Sequence, residues 1–167
     1  MKRKIDITAL VRPNILKLTP YRSARNDFKS GILLDANENA FGAPFDDHME
    51  LHRYPMPYQE ELREKIAELR GVRPQNVFTG VGSDEAIDLL FRIFCIPGKD
   101  RIITTPPTYG MYSVSANIHD VLVDEVILTS DFQPDTDRIL EAANEQTKLL
   151  FLCSPNNPTA NNMSRDD

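Results

Sequence analysis

The sequence predicts an α/β fold with a mostly parallel sheet and flanking helices. Three observations carry that prediction. Short apolar runs recur at Arg101–Thr104, Val121–Leu128 and Lys148–Cys153. Segments with helical spacing lie between them, the alternation expected of βαβ units. The first and last of these runs open onto loops dense in Pro or Asn, at the carboxyl end where open parallel sheets hold ligands.

The elements follow in order. From Met1 to about Pro55 there is little periodicity, and Pro13, Pro20, Gly31, Gly42, Pro44 and Pro55 punctuate the chain. The apolar run Ile32-Leu33-Leu34 and the scattered aromatic residues favour an arm that packs on something else over a disordered segment. Beyond it Tyr58, Leu62, Ile66 and Leu69 recur at helical spacing, with Pro57 suited to the first turn and Gly71 to the C-terminal cap. Val77-Phe78-Thr79 reads as a short strand running into Gly80-Val-Gly-Ser-Asp-Glu85. A helix from about Asp84 to Phe94 turns Ile87, Leu90, Phe91 and Phe94 inward, with Ser83 as its N-cap. Further helices are predicted from Tyr109 to about Asn117 and from Thr136 to Asn144. The last run, Leu149–Cys153, has no polar break and reads as a strand buried on both faces.

Composition sets the outer limits. The 167 residues are 41% hydrophobic and 26% charged, ordinary for a globular chain that is one good-sized domain or a piece of a larger one. A net charge of −6 argues against a nucleic-acid surface, which needs a basic excess. Cys95 and Cys153 sit in apolar runs as buried reduced thiols, and neither they nor His48, His52 and His119 show metal-ligand spacing. The basic start Met1–Lys4 runs into Ile5-Asp-Ile-Thr8, where a signal peptide needs an apolar core. No run approaches the ~18 apolar residues of a membrane span. These features fit a reducing cytoplasm.

Three stretches could carry chemistry. Gly80–Glu85 lies at a strand-to-helix junction, where glycines admit a ligand and exposed amides attract phosphate. The alternative is a helix start in which Ser83 caps while Asp84 and Glu85 complement the dipole. Pro106-Pro-Thr-Tyr-Gly-Met-Tyr112 holds Tyr109 in a stiff loop, as a stacking platform for a flat ligand or as a ring packed beneath the loop. Ser154-Pro-Asn-Asn-Pro-Thr159 follows the last strand and offers two adjacent Asn side chains to something bound.

Taken with Leu18-Thr-Pro-Tyr-Arg-Ser-Ala-Arg25, Asp35-Ala-Asn-Glu-Asn39 and Arg53-Tyr-Pro55, the series closely resembles the histidinol-phosphate aminotransferases. These belong to the pyridoxal 5'-phosphate (PLP) dependent transferases of fold type I. The resemblance implies an N-terminal arm and dimer-contact segment over residues 1–55 and the first half of the large PLP-binding domain over 56–167. It implies PLP as cofactor, a homodimer, and transamination between histidinol phosphate and glutamate or 2-oxoglutarate in histidine biosynthesis. Amides near Ser83 and Asp84 would hold the PLP phosphate, Tyr109 would stack on the pyridine, and Asn157 would bond its phenolic oxygen. Tyr54 would reach the phosphate of the other subunit's cofactor. Tyr21, with Asn37 and Glu38 nearby, would help shape the substrate pocket.

None of Lys2, Lys4, Lys17, Lys29, Lys65, Lys99 or Lys148 stands in the family's Schiff-base motif, which is expected downstream. Residues 1–167 alone are therefore expected to be inactive. Ala160 replaces the family's usual glycine, and Ala40 a frequent proline. Other readings are a related fold-type-I enzyme, such as an aromatic amino acid aminotransferase or threonine-phosphate decarboxylase, and a truncated non-catalytic binding module.

Overall fold

A computed structural model of the chain describes residues 6–28, 30–45 and 51–164. The basic start Met1–Lys4, Lys29 and His48 lie outside these residues. The chain divides into two compact units, Met1–Leu18 with Gly80–Asp167, and Thr19–Thr79.

The first unit holds the sheet. Strands β1 (Arg101–Thr104), β2 (Leu122–Glu125) and β3 (Thr147–Phe151) are all parallel, in the order β2-β1-β3. Each crossover carries a helix. The other helices are α1 (Pro13–Leu16), α2 (Glu60–Arg70, in the second unit) and α3 (Gly82–Phe94), and the crossovers are α4 (Met111–Ile118) and α5 (Thr136–Ala142). Ile87, Phe91 and Cys95 of the α3 segment, Tyr112 and Ala116 of α4, and Ile102, Val121 and Phe151 from the sheet region form one core cluster. Ile103, Val126 and Ile139 form a second, to which α5 contributes. Leu90 and Phe94 pack against the first cluster, so the inner face predicted for α3 is the one observed. Burial pushes the Cys95 thiol up to about 11, which leaves it protonated and inert.

Four local expectations are corrected. Burial on both faces, predicted for the 149–153 run, belongs to the central strand β1, where Ile102, Ile103 and Thr104 are all buried. Among the described residues β3 pairs only with β1, and Leu150 and Leu152 are exposed. Val77–Thr79 forms no strand: Val77 is extended, but the segment has no ladder partner among the described residues. Helix α2 starts at Glu60, beyond Pro57, because Gln59 takes a left-handed conformation (φ 47°). At its other end Gly71 (φ 63°) caps the helix as predicted. Finally, Ser83 lies inside α3 and Val81 is the N-cap. Capping comes from within the helix, where the Glu85 carboxylate accepts the Val81 N–H at 2.5 Å.

The turn after β3 closes on itself through Asn156 N–H to the Asn161 carbonyl (2.9 Å) and Ala160 N–H to the Asn156 carbonyl (2.8 Å). Ala160 sits there at φ 62°, a conformation that favours glycine. The left-handed region costs alanine about 1–2 kcal/mol. Glycine gives back part of that gain through the entropy of the unfolded chain, about 0.4–1 kcal/mol. Ala160→Gly is therefore expected to stabilise the full-length protein by roughly 0.5–1 kcal/mol. A thermal midpoint that is unchanged or lowered would contradict this strain.

Candidate functional site

The carboxyl ends of β1 and β3 lie side by side, with Thr104 paired to Phe151. Beyond β1 runs the loop 105–110, and beyond β3 the turn 152–161. Asn156 joins them. Its Nδ2 donates to the Pro107 carbonyl (2.8 Å) and to Thr159 Oγ1 (2.7 Å), while its Oδ1 accepts from Thr108 Oγ1 (3.2 Å). Thr159 in turn donates to Asn161, whose Nδ2 reaches the Phe132 carbonyl (2.9 Å).

Asn156 is buried and its amide is fully engaged. The expectation that both asparagines face a ligand is therefore corrected. Asn157, one residue along, is exposed and makes no side-chain hydrogen bond among the described residues.

Tyr109 closes the other side. Its hydroxyl donates to Asp84 (3.0 and 3.3 Å), tying the loop after β1 to the first turn of α3. The ring meets Tyr112 edge-on, with centroids 5.6 Å apart, and Tyr112 stacks on Phe151 at 4.5 Å. Donation to Asp84 raises the Tyr109 phenol above its ordinary value, and burial adds to this, so it stays a donor at neutral pH. Burial, with a contribution from Cys153, pushes Tyr112 up to about 12.

The two acids of the α3 first turn are each held by a local donor, Glu85 by the Val81 amide and Asp84 by Tyr109. As in any first helical turn, the Ser83 and Asp84 amides have no intrahelical acceptor. Ser83, Asp84, Tyr109 and Asn157 thus gather at one edge of one unit, through the contacts of Tyr109 and Asn156.

Tyr54, Tyr21, Asn37 and Glu38 belong to the second unit, and among the described residues only Glu38 of these four has a hydrogen-bonded side chain. Tyr21 is 88% exposed and Tyr54 60%, and Asn37 is exposed as well. The Glu38 carboxylate accepts from Arg25 (3.0 Å), from Arg53 (2.8 Å) and from the Tyr54 backbone N–H (2.8 Å). Arg25, itself buried, also donates twice to Asp35 (3.0 and 3.3 Å). Sequence reading missed this network. Its only signal was complementary charge in three separate motifs, Arg25 in the first, Asp35 and Glu38 in the second, Arg53 in the third.

Arg53 above all, with the Tyr54 amide and Arg25, lowers the Glu38 carboxyl from its ordinary 4.5 to about 2. A depressed carboxyl stabilises the fold above its unfolded value, and that stability is lost as pH falls. The urea midpoint should therefore drop as pH falls from 4.5 towards 2, and Glu38→Gln should flatten that drop. An acid limb of equal steepness in both proteins would remove Glu38 as its cause.

Comparison with known proteins decides the family. A model of the aminotransferase class I and II family matches residues 24–167. The chain belongs to that family. It is 48% identical over 168 residues to the histidinol-phosphate aminotransferase of Christiangramia forsetii, covering 98% of this chain and 46% of that protein. To the enzyme of that name from Schizosaccharomyces pombe it is 47% identical over 173 residues, covering 97% and 45%. The chain thus spans under half the length of the curated relatives it matches.

Among solved structures, a tetra mutant of Thermus thermophilus aspartate aminotransferase superposes with a TM-score of 0.57 at 31% identity. That match covers 65% of this chain and 31% of the other. Alanine aminotransferase from Pyrococcus furiosus gives a TM-score of 0.59 at 25% identity, over 64% and 29%. The fold-type-I α/β architecture expected from the motifs is the one found. Among the described residues no helix is long and apolar enough to cross a membrane.

Proposed function

We propose that this chain supplies the arm (residues 1–55) and the first half of the large domain (56–167) of a PLP-dependent, cytoplasmic, homodimeric aminotransferase. Its reaction is transfer of an amino group between histidinol phosphate and glutamate or 2-oxoglutarate, in histidine biosynthesis. The observation that carries the cofactor assignment is the tie between Tyr109 and the first turn of α3, with the open amide of Asn157 across the same sheet edge. An aromatic ring, a helix N-terminus and an unengaged amide match a flat, phosphate-bearing heterocycle. The substrate assignment is supported by relatives named histidinol-phosphate aminotransferase at 47–49% identity.

The residues divide the work. The Ser83 and Asp84 amides bind the PLP phosphate, favoured by the α3 dipole. Tyr109 stacks its ring on the pyridine and is held in place by its bond to Asp84. Asn157 donates to the phenolic oxygen and keeps that oxygen ionised. Tyr54, from the neighbouring subunit, contacts the phosphate. Tyr21 and Asn37, with Glu38 nearby, shape the substrate pocket. When bound, PLP supplies an electron sink for the reaction. The Schiff-base lysine is assigned to sequence beyond residues 1–167.

The test is an assay of the full-length protein with PLP, L-histidinol phosphate and 2-oxoglutarate, reading glutamate formation. Preference for an aromatic amino acid over histidinol phosphate would overturn the substrate. Absence of amino transfer from any donor would overturn the reaction.

A further inference from the structure

Residues 19–59 contain a single 3-10 turn, Ala24–Asn26, among the described residues, so hydrogen bonding within helices and strands does little to fix their course. Glu38 takes over that task. Its side chain is 4% exposed and lies between the guanidinium groups of Arg25 and Arg53, with Asp35 balancing the second positive charge. One oxygen, Oε1, accepts from both Arg25 and the Tyr54 backbone N–H, while Oε2 accepts from Arg53. A single carboxylate therefore holds the side chain of residue 53 and the backbone of residue 54. With two arginines and an amide on it, it is directed at the protein and not at a ligand.

We infer that Glu38 is a positioning residue: by clamping Arg53 and the Tyr54 amide it sets where the Tyr54 phenol is presented. The Tyr54 side chain is 60% exposed and its hydroxyl has no partner among the described residues, so the clamp orders the backbone while leaving the phenol available. Fixing one residue's backbone costs conformational entropy. A site whose contacting residue is already ordered does not meet that cost on binding. This inference rests on the proposal that Tyr54 meets the cofactor phosphate.

The experiment separates the two. PLP and pyridoxal, which lacks the phosphate, are titrated spectrophotometrically into the full-length protein, Tyr54→Phe, Glu38→Gln and the double variant. Tyr54→Phe is expected to weaken PLP about tenfold or more and to leave pyridoxal unchanged, since a hydrogen bond to a charged group is lost. Glu38→Gln is expected to weaken PLP by roughly five- to tenfold, again sparing pyridoxal, and to add nothing in the Tyr54→Phe background. Arg53→Met repeats the test if Glu38→Gln does not fold.

Equal weakening of PLP and pyridoxal by Glu38→Gln, or full additivity with Tyr54→Phe, overturns the positioning role. No effect of Tyr54→Phe on PLP overturns the phosphate contact, and the inference with it.

Discussion

Phe91→Ala is expected to destabilise the full-length protein by about 3–5 kcal/mol, the usual range for removing a buried aromatic ring. Phe91 is 1% exposed. It stacks on Phe151 of β3 with centroids 5.7 Å apart, and on His119, just past α4, at 5.5 Å. Truncation removes both partners' contacts at once and leaves a cavity between α3, α4 and the sheet. His119 is further held by Asp88, at 2.6 Å, so the surround has little freedom to collapse into the space. Urea unfolding measures the loss. Leu69→Ala is the comparison: Leu69 is 81% exposed on α2, and its loss should change stability by less than about 0.5 kcal/mol. Similar values for the two variants would mean that the cluster around Phe91 is not the core.

Asn156→Ala and Asn157→Ala should behave oppositely although the residues are neighbours. Asn156 is 4% exposed and links the loop after β1 to the turn after β3. Without it the Pro107 carbonyl and the hydroxyls of the half-buried Thr108 and Thr159 lose a partner. At about 1 kcal/mol for each of the three hydrogen bonds removed, the expected loss is about 3 kcal/mol. Asn157→Ala should leave stability within about 0.5 kcal/mol, since its exposed side chain makes no hydrogen bond among the described residues.

Its effect should appear on the cofactor instead. A hydrogen bond to an ionised oxygen favours the ionised form, so its removal raises the pKa. A bond to a charged group is worth about 1.5–3 kcal/mol, and one pKa unit about 1.4 kcal/mol. The pH midpoint of the bound cofactor's absorbance should rise by roughly one to two units. A midpoint equal to wild type would remove Asn157 from that oxygen.

What the sequence made legible was local. The β1 run Arg101–Thr104 and the inner face of α3 are written in spacing, and both were read correctly. Two of the three stretches singled out for chemistry do follow strands, β1 and β3, whose carboxyl ends lie side by side. What escaped depends on partners distant in the chain. Leu149–Cys153 carries enough apolar side chains for two buried faces, yet a strand's burial is decided by its neighbours, and β3 has one among the described residues. Asn156 and Asn157 are indistinguishable as letters, and what separates them is the set of partners around Asn156: the Pro107 carbonyl and the Thr108 and Thr159 hydroxyls. The Glu38 network joins residues 10 to 16 positions apart with no periodicity to advertise it.

The Arg12 contacts bear on the order in which the chain assembles. Arg12 N–H donates to the Ile93 carbonyl at 2.9 Å, and its Nη1 to the Arg92 carbonyl at 3.0 Å, across 80 residues of sequence. Closing so long a loop is thermodynamically mild, since each doubling of length costs only about 0.6 kcal/mol. In time it is expensive, because a non-local contact waits for everything between its ends. At about 5–20 residues per second, the segment around Arg12 leaves the ribosome roughly 4–16 seconds before its acceptors on α3 exist. During that interval the Arg12 amide and guanidinium have no acceptor on α3, so the segment around Arg12 stays undocked until residues 92 and 93 have been made.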